Sequence, residues 1–389
     1  MRVWLPVVYS LPIIFLLAGC GDKAELTEFG FAQAVALDRS EDSEFVMTTH
    51  FYNPSEGGGL GGGGKPPVKG ITIRTEGDTI FDAIRDIPSH LGRKAKWDHM
   101  RAIIISEELG RKQNIREMLD FFSRDHEPRP TVPVMIAEGK AADYLKVKPF
   151  IEQTIGQQLQ KMQKSGAKYN AKTSNIPLFD LAVQFLGQTN VAILPYLHKS
   201  NASQPITATG LAMLKDEKLA DIMQLSFTES LVMLLDKYES GILEFPCTGS
   251  SEDPKKSMES LEVTSIKTKI KTEIKENEAI IHVMSDIEGS LGEFRCATLK
   301  TEEDELLFEQ NIGKIVERKL RRTIAYLQNE KIDAIGVGNQ IYRKDPALWK
   351  RWKPTWGERF AESRITVDVK VNILNSGMKI SSPFGNKKE

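Results

Sequence analysis

The chain of 389 residues has only three cysteines, Cys20, Cys247 and Cys296, and its six histidines lack the spacing of a metal site. It has no Gly-x-Ser-x-Gly or Ser-x-x-Lys motif, so sequence motifs give no support to catalysis. The formal net charge is −1, which leaves no overall basic field to concentrate nucleic acid. We therefore expect no enzymatic activity, no metal, no other cofactor and no nucleic-acid partner.

The N-terminus carries the pattern of a lipoprotein signal peptide. The apolar stretch 3–18 is short for a spanning helix and contains two prolines. It ends in Leu17-Ala18-Gly19-Cys20, the lipobox pattern that signal peptidase II cleaves before the cysteine. We predict a diacylglyceryl group on Cys20; its two acyl chains, at about 0.8 kcal/mol per buried methylene, attach the chain permanently to a membrane. The alternatives are an uncleaved anchor, which leaves the chain on the same side of the membrane, and a buried apolar helix that happens to contain a cysteine.

The rest of the chain has the composition of a folded, water-exposed protein. Mean hydropathy is −0.30, charged residues make up 27%, and no apolar run after Cys20 approaches spanning length. Cys247 and Cys296 lie in strand-like contexts where a disulfide would persist after export. Two buried free thiols are the favoured interpretation, and the disulfide is the alternative.

The chain divides into four parts. Residues 1–20 form the signal peptide, and residues 21–200 form an N-terminal region of mixed helices and strands, with 201–205 as a polar boundary. Residues 206–376 form a C-terminal domain, and 377–389 form a polar tail. Within the N-terminal region, the glycine-rich loop 57–64 precedes Lys65 but continues into two prolines. It therefore lacks the helix start of a phosphate-binding loop, and we interpret it as an exposed flexible loop.

The C-terminal domain shows strand alternation followed by a long helical period. Residues 261–275 alternate as a strand whose phase slips between Val263 and Ile266, which indicates a bulge, and a turn at 277–278 closes a hairpin. Residues 302–329 have an apolar helical face that should cover the hairpin, and 364–374 form a final strand. The fold class predicted is α+β with several domains, the C-terminal one an antiparallel sheet with helices packed on one face.

Two segments are candidate contact surfaces. Arg124, Asp125 and Arg129 lie in a charged corner between a helix and a strand, which is either a partner contact or, as we favour, a salt-bridged loop. Tryptophans recur at helical spacing and are interleaved with cations. They either touch lipid headgroups or pack inward, and we favour inward packing. These tryptophans are Trp349, Trp352 and Trp356.

The order of these features resembles the Ger(x)C family, the C-subunit lipoproteins of spore nutrient germinant receptors. Three segments carry the resemblance over nearly the full mature length. They are Gly19-Cys20-Gly21-Asp22, where Gly21 replaces the family's usual tryptophan; His99 to Leu109 continuing to Asp125 and Arg129; and Asp333-Ala-Ile-Gly336-Val-Gly338 with Pro346, Trp349 and Trp356.

The resemblance implies a lipoprotein on the outer face of the spore inner membrane, required for nutrient-triggered germination and without catalysis of its own. It implies two partners, the integral membrane A and B subunits of the same receptor, besides the lipid reached by the acyl anchor. A solute-binding lipoprotein that serves a transporter is the alternative, but that class usually has two similar α/β lobes. A surface hydrolase with a spatially assembled triad is a third hypothesis.

Overall fold

The computed structural model describes residues 25–53, 70–199, 206–247, 258–293, 299 and 301–375. The signal peptide with its lipobox, the glycine-rich loop 57–64 and the tail 377–389 lie outside these residues. Within the described part of the chain, no helix is long and apolar enough to cross a membrane.

The first sheet has nine strands, four of which are parallel neighbours in its centre. Its strands are β1 (Phe29–Asp38), β2 (Phe45–Phe51), β3 (Ile71–Gly77), β4 (Lys94–Lys96), β5 (Ala102–Ser106), β6 (Val134–Ala137), β7 (Val191–Lys199), β8 (Ile206–Lys215) and β9 (Lys218–Met223). Their order is β3-β2-β1-β5-β6-β7-β8-β9, and β4 pairs with the start of β1. β1, β5, β6 and β7 run parallel, and the other pairs on this path are antiparallel.

Helices cover both faces of this sheet, as parallel strands require. They are α1 (Ile80–Leu91), α2 (Glu107–Lys112), α3 (Ile115–Arg124), α4 (Ala142–Leu145), α5 (Ile155–Asn170), α6 (Leu178–Phe185) and α7 (Leu225–Leu234). The face under α4 and α5 is lined by small residues such as Ala34 and Ala36, which pack against Leu159. Close approach explains this choice, since a Cβ on Gly156 would lie 2.5 Å from the Gln33 carbonyl oxygen.

The second sheet is built on a long hairpin. Its elements are β10 (Gly241–Pro246), β11 (Met258–Lys275), β12 (Glu278–Leu291), β13 (Arg364–Asn375), α8 (Glu302–Asn329), α9 (Val337–Lys344), α10 (Pro346–Trp352) and α11 (Trp356–Glu362). The predicted bulge is confirmed by a register shift between Val263 and Ser265. The hairpin turns at Glu276 and Asn277, both with positive φ, as a two-residue turn between twisted strands requires.

The α+β class is confirmed, but the prediction of a wholly antiparallel second sheet is wrong. β13 pairs parallel with β12, with Ile280 opposite Arg364. The reason is the connection: α8, about 40 Å long, carries the chain back along the sheet, so that β13 starts beside the beginning of β12. Arg321 on α8 donates to the carbonyl oxygens of Ile365 (3.2 Å) and Val367 (3.4 Å), which covers part of the β13 edge.

The first sheet continues beyond the boundary predicted at 201–205. β7 and β8 are antiparallel neighbours, with Lys199 opposite Ile206, so this polar segment joins two strands of one sheet. The second sheet begins only at Gly241. The predicted C-terminal domain therefore starts before the second sheet does.

The favoured interpretation of two free thiols is also wrong for Cys247, which is disulfide-bonded and buried at the end of β10. The sequence offers Cys20 and Cys296 as partners, and both lie outside the described residues. Sequence spacing does not report the separation of two Cα atoms, which is what permits a disulfide.

Candidate functional site

A polar cleft of about 340 Å3 lies at the carboxyl ends of the central parallel strands. It is lined by Asp38, Arg39, Ser106, Glu107, Glu108, Arg111, Gly139 and Lys140. After β1 the chain passes to β2, which lies on one side of the β1–β5 pair. After β5 it passes to β6, which lies on the opposite side of that pair. Such a reversal of strand order is where open α/β sheets commonly bind ligands, and the volume suits a small molecule.

Asp38, the last residue of β1, organises the cleft floor. Its two carboxylate oxygens accept hydrogen bonds from the backbone N–H groups of Ala141 and Ala142, each at 2.8 Å. Burial raises the pKa of Asp38, while these bonds and one from Ser106 oppose that rise. The Ser106 side chain also caps α2 by accepting from Leu109 N at 3.4 Å. Asp38 therefore fixes the start of the α4 region against β1.

The rim of the cleft carries both signs of charge. Glu107 accepts a hydrogen bond from the Tyr196 hydroxyl, and Glu108 pairs with Lys112 at 2.7 Å. The Nε atom of Arg39 is buried and has no hydrogen-bond partner among the described residues. Arg111 donates to the Ala220 carbonyl oxygen at 3.1 Å. The rim therefore sets three acids beside three bases, and no histidine or cysteine of the described residues lines it.

The charged corner is held by the salt bridges that we favoured from the sequence. Arg124 is exposed and pairs with Asp120 at 2.9 Å. Asp125 accepts from the backbone N–H of Glu127 at 2.8 Å. The Glu127 carboxylate in turn bonds Lys96 Nζ (2.8 Å) and the Trp97 backbone N–H (2.9 Å), which ties the corner to β4. Arg129 stays exposed, so a partner contact by Arg124 or Arg129 remains a prediction.

The three tryptophans are not available as surface contacts. Trp349, Trp352 and Trp356 are buried, with ring centroids 5.3 Å apart for Trp349 and Trp356 and 6.4 Å apart for Trp352 and Trp356. The first two lie three residues apart in α10, hence on one helix face, and that face packs inward. The favoured interpretation, inward packing, is therefore confirmed, and the candidate contact role of these three tryptophans is wrong. Lys350 and Arg351, between them in sequence, are exposed.

A buried carboxylate, Asp333, fastens this cluster, a role not predicted from the sequence. Its oxygens accept from the backbone N–H groups of Val337 (3.0 Å) and Gly338 (2.7 Å) and from the Trp356 indole N–H (3.0 Å). Burial raises the pKa of Asp333, and these bonds counteract the rise. A Cβ on Gly338 would lie 2.5 Å from the Trp349 ring. The segment 333–338 and the tryptophans of α10 and α11 therefore pack together as one unit.

No group of three or more histidine, cysteine, aspartate or glutamate side chains in the described ranges is placed to hold a metal ion. The candidate features for ligand or partner binding described above are the cleft, the charged corner and the exposed cations beside the tryptophan cluster.

Comparison with known proteins finds spore germination proteins over nearly the whole chain. Residues 22–199 match the family described as Spore germination protein N-terminal domain, and residues 209–377 match Spore germination B3/GerAC like, C-terminal. Spore germination protein KC of Bacillus subtilis (strain 168) is 26% identical, covering 97% of each chain. Spore germination protein B3 of the same organism is also 26% identical, covering 95% of this chain and 97% of the relative.

The fold has a solved counterpart. The structure titled Crystal Structure of the GerBC protein superposes with a TM-score of 0.58 at 22% sequence identity, covering 91% of this chain and 100% of that one. At this identity the likeness establishes the architecture.

Proposed function

The chain belongs to the Ger(x)C family of spore germination proteins, and on that premise we propose that it is the lipid-anchored subunit of a spore germinant receptor. The match of both family domains, in order and over nearly the full length, is the observation that carries this proposal. The subunit is required for the germination response to nutrients and acts through protein contacts without catalysis.

The anchor is a diacylglyceryl group on Cys20, exposed as the first mature residue after cleavage of the Leu17-Ala18-Gly19 lipobox. It holds the protein on the outer face of the spore inner membrane. Two acyl chains give effectively permanent attachment, whereas a single chain gives only reversible binding. The proposed partners are the integral membrane A and B subunits of the same receptor.

The alternative of a solute-binding lipoprotein is disfavoured by the architecture. That class is built from two similar α/β lobes, and the two sheets described here differ in strand number and in strand direction. The cleft beside Asp38 keeps one element of that hypothesis, because it can accommodate a small ligand.

Lipid labelling and copurification test the proposal together. Cells making the wild-type chain, Cys20→Ala or the neighbouring control Gly21→Ala are labelled with radioactive palmitate, fractionated, and extracted with mild detergent. We expect label, membrane association and copurifying integral subunits for the wild type and Gly21→Ala, and loss of label and membrane association for Cys20→Ala. Persistent labelling of Cys20→Ala contradicts the anchor. Absence of integral subunits from the wild-type extract contradicts the receptor role.

A further inference from the structure

Two basic side chains of the cleft beside Asp38 come from loops that are bonded to each other. Arg39 directly follows β1, and Lys140 follows the end of β6 by three residues. The Asp38 carboxylate joins the two loops, since it accepts from the backbone N–H groups of Ala141 and Ala142 at 2.8 Å each. Both bases line the cleft. They are therefore attached to chain segments that a pair of short hydrogen bonds holds together.

Two acidic side chains of the cleft come from a different element. Glu107 and Glu108 form the first turn of α2, which starts at the end of β5. Glu107 accepts from the Tyr196 hydroxyl, and Glu108 pairs with Lys112, which does not line the cleft. Both of these bonds use Oε1 of the glutamate. In the described part of the chain, Oε2 of each glutamate is left without a hydrogen-bond donor.

The bases and the acids face each other without contact. Among the described residues, no carboxylate forms a salt bridge with Arg39 or Lys140, and the buried Nε of Arg39 has no partner. The pKa of Glu108 is lowered chiefly by its hydrogen bond with Lys112, and Arg39 and Lys140 lower it further through space. Opposite charges that act on each other but do not touch are separated by the open volume of the cleft, about 340 Å3.

We infer that this cleft binds a small zwitterion, a molecule that carries both a carboxylate and an ammonium group. Arg39 and Lys140 bind the carboxylate, for which a guanidinium is well matched because its N–H donors form a planar fork. Glu107 and Glu108 accept from the ammonium group through their open oxygens. A ligand with a single charge pairs with one set only, and the other set, of like sign, repels it.

The turn that carries Lys140 leaves room for such a ligand. Gly139, the preceding residue, has a φ of 65°, and a Cβ built on it would meet no heavy atom of the described residues within 4 Å. Gly139 lines the cleft, so the space beside its backbone is open to a ligand. Binding here depends only on residues of the cleft and is therefore independent of the proposed anchor and receptor role.

A matched set of four-carbon compounds tests the ligand class. The isomers 2-, 3- and 4-aminobutyrate carry both charges at increasing separation, whereas butyrate carries only the negative charge and butylamine only the positive one. Their affinities are measured near neutral pH by isothermal titration calorimetry of the full-length mature protein in mild detergent. We expect at least one aminobutyrate to bind about tenfold or more tightly than butyrate and butylamine, because a hydrogen bond to a charged group is worth about that factor.

Charge-removing variants assign the binding to the cleft. Arg39→Gln should weaken the aminobutyrate by about tenfold and leave butylamine unchanged, and Glu107→Gln should weaken the aminobutyrate similarly and leave butyrate unchanged or bound more tightly. Lys140→Gln, at an exposed position where folding is not at risk, should weaken the aminobutyrate by about threefold, as for an exposed ion pair. The controls Arg322→Gln and Glu239→Gln remove the same charges from exposed positions that do not line the cleft and should change nothing.

Three results would overturn the zwitterion site. Butyrate that binds as tightly as every aminobutyrate shows an anion site in which the acids take no part. Aminobutyrate binding that survives both Arg39→Gln and Lys140→Gln places the ligand elsewhere on the chain. Absence of binding by all five compounds shows that the cleft does not take such ligands, whereas copurification of the integral subunits would still support the receptor role.

Discussion

Replacement of Asp333 by asparagine should destabilise the C-terminal half of the molecule far more than its small change in volume suggests. The native carboxylate accepts three hydrogen bonds, one through Oδ1 from Val337 N and two through Oδ2 from Gly338 N and the Trp356 indole. An asparagine side chain has a single acceptor oxygen. In its best orientation it keeps two bonds and turns its NH2 group toward a buried N–H donor.

The magnitude follows from these three bonds. A buried donor left unpaired costs about 1–3 kcal/mol, and hydrogen bonds to a charged acceptor are stronger than neutral ones by roughly 1 kcal/mol each. Removal of a buried charge offsets part of this loss, because burial raises the pKa of Asp333 and so opposes its ionisation. The expected net loss in the free energy of unfolding is about 3 kcal/mol, or a shift of about 1 M in a urea midpoint for a slope near 3 kcal/mol/M.

Urea unfolding followed by tryptophan fluorescence measures this loss, since Trp349, Trp352 and Trp356 are buried in the same cluster. The matched control is Asp345→Asn. Asp345 is exposed and caps α10 through Leu348 N, and asparagine caps helices as well as aspartate does, so a change within about 0.5 kcal/mol is expected. Equal midpoints for the two variants would refute the assignment of Asp333 as the residue that fastens the cluster.

Three further predictions concern packing, pH and the disulfide. Gly338→Ala should destabilise by about 1–2 kcal/mol, because its Cβ would lie 2.5 Å from the Trp349 ring, whereas Gly357→Ala, whose nearest contact is 3.4 Å, should be neutral or stabilising by urea titration. Burial lowers the pKa of His50 from 6.5 to about 4, so its contribution to stability is full above pH 6.5 and falls by about 3 kcal/mol toward pH 4. His50→Gln should abolish this part of the pH dependence, and an unaltered profile would contradict the assignment. Cys247→Ser should lower stability by about 2–4 kcal/mol, and dithiothreitol should lower the wild-type midpoint but not that of the variant.

Local sequence signals predicted the elements of the second sheet well. The predicted helix 302–329 has the bounds of α8, where Thr301 and Asp304 form a reciprocal capping pair. The slip in alternation after Val263 corresponds to the bulge. These features depend on neighbouring residues, which is why a single sequence reveals them.

Features that depend on distant residues were missed. The direction of β13 is set by the path of four helices and by its partner strand, and alternation in β13 itself is the same for parallel and antiparallel pairing. The joining of β7 to β8 across the polar segment 200–205 follows from strand pairing too. Asp333 is an exception: it bonds backbone groups only four and five residues ahead, and its position just before a helix start was a signal in the sequence. The cleft beside Asp38 joins the ends of three strands that are far apart in sequence, and no motif indicates it.

The central claim is that this protein is an anchored subunit of a germinant receptor, and germination of spores carrying Cys20→Ala tests it most directly. The fall in optical density is recorded after addition of a panel of nutrients, in a strain that lacks paralogous receptors, with protein level and membrane fractionation measured alongside. We predict loss of the response to particular nutrients while folded protein is released from the membrane. An unchanged response to every nutrient, with the protein fully released, would contradict the claim.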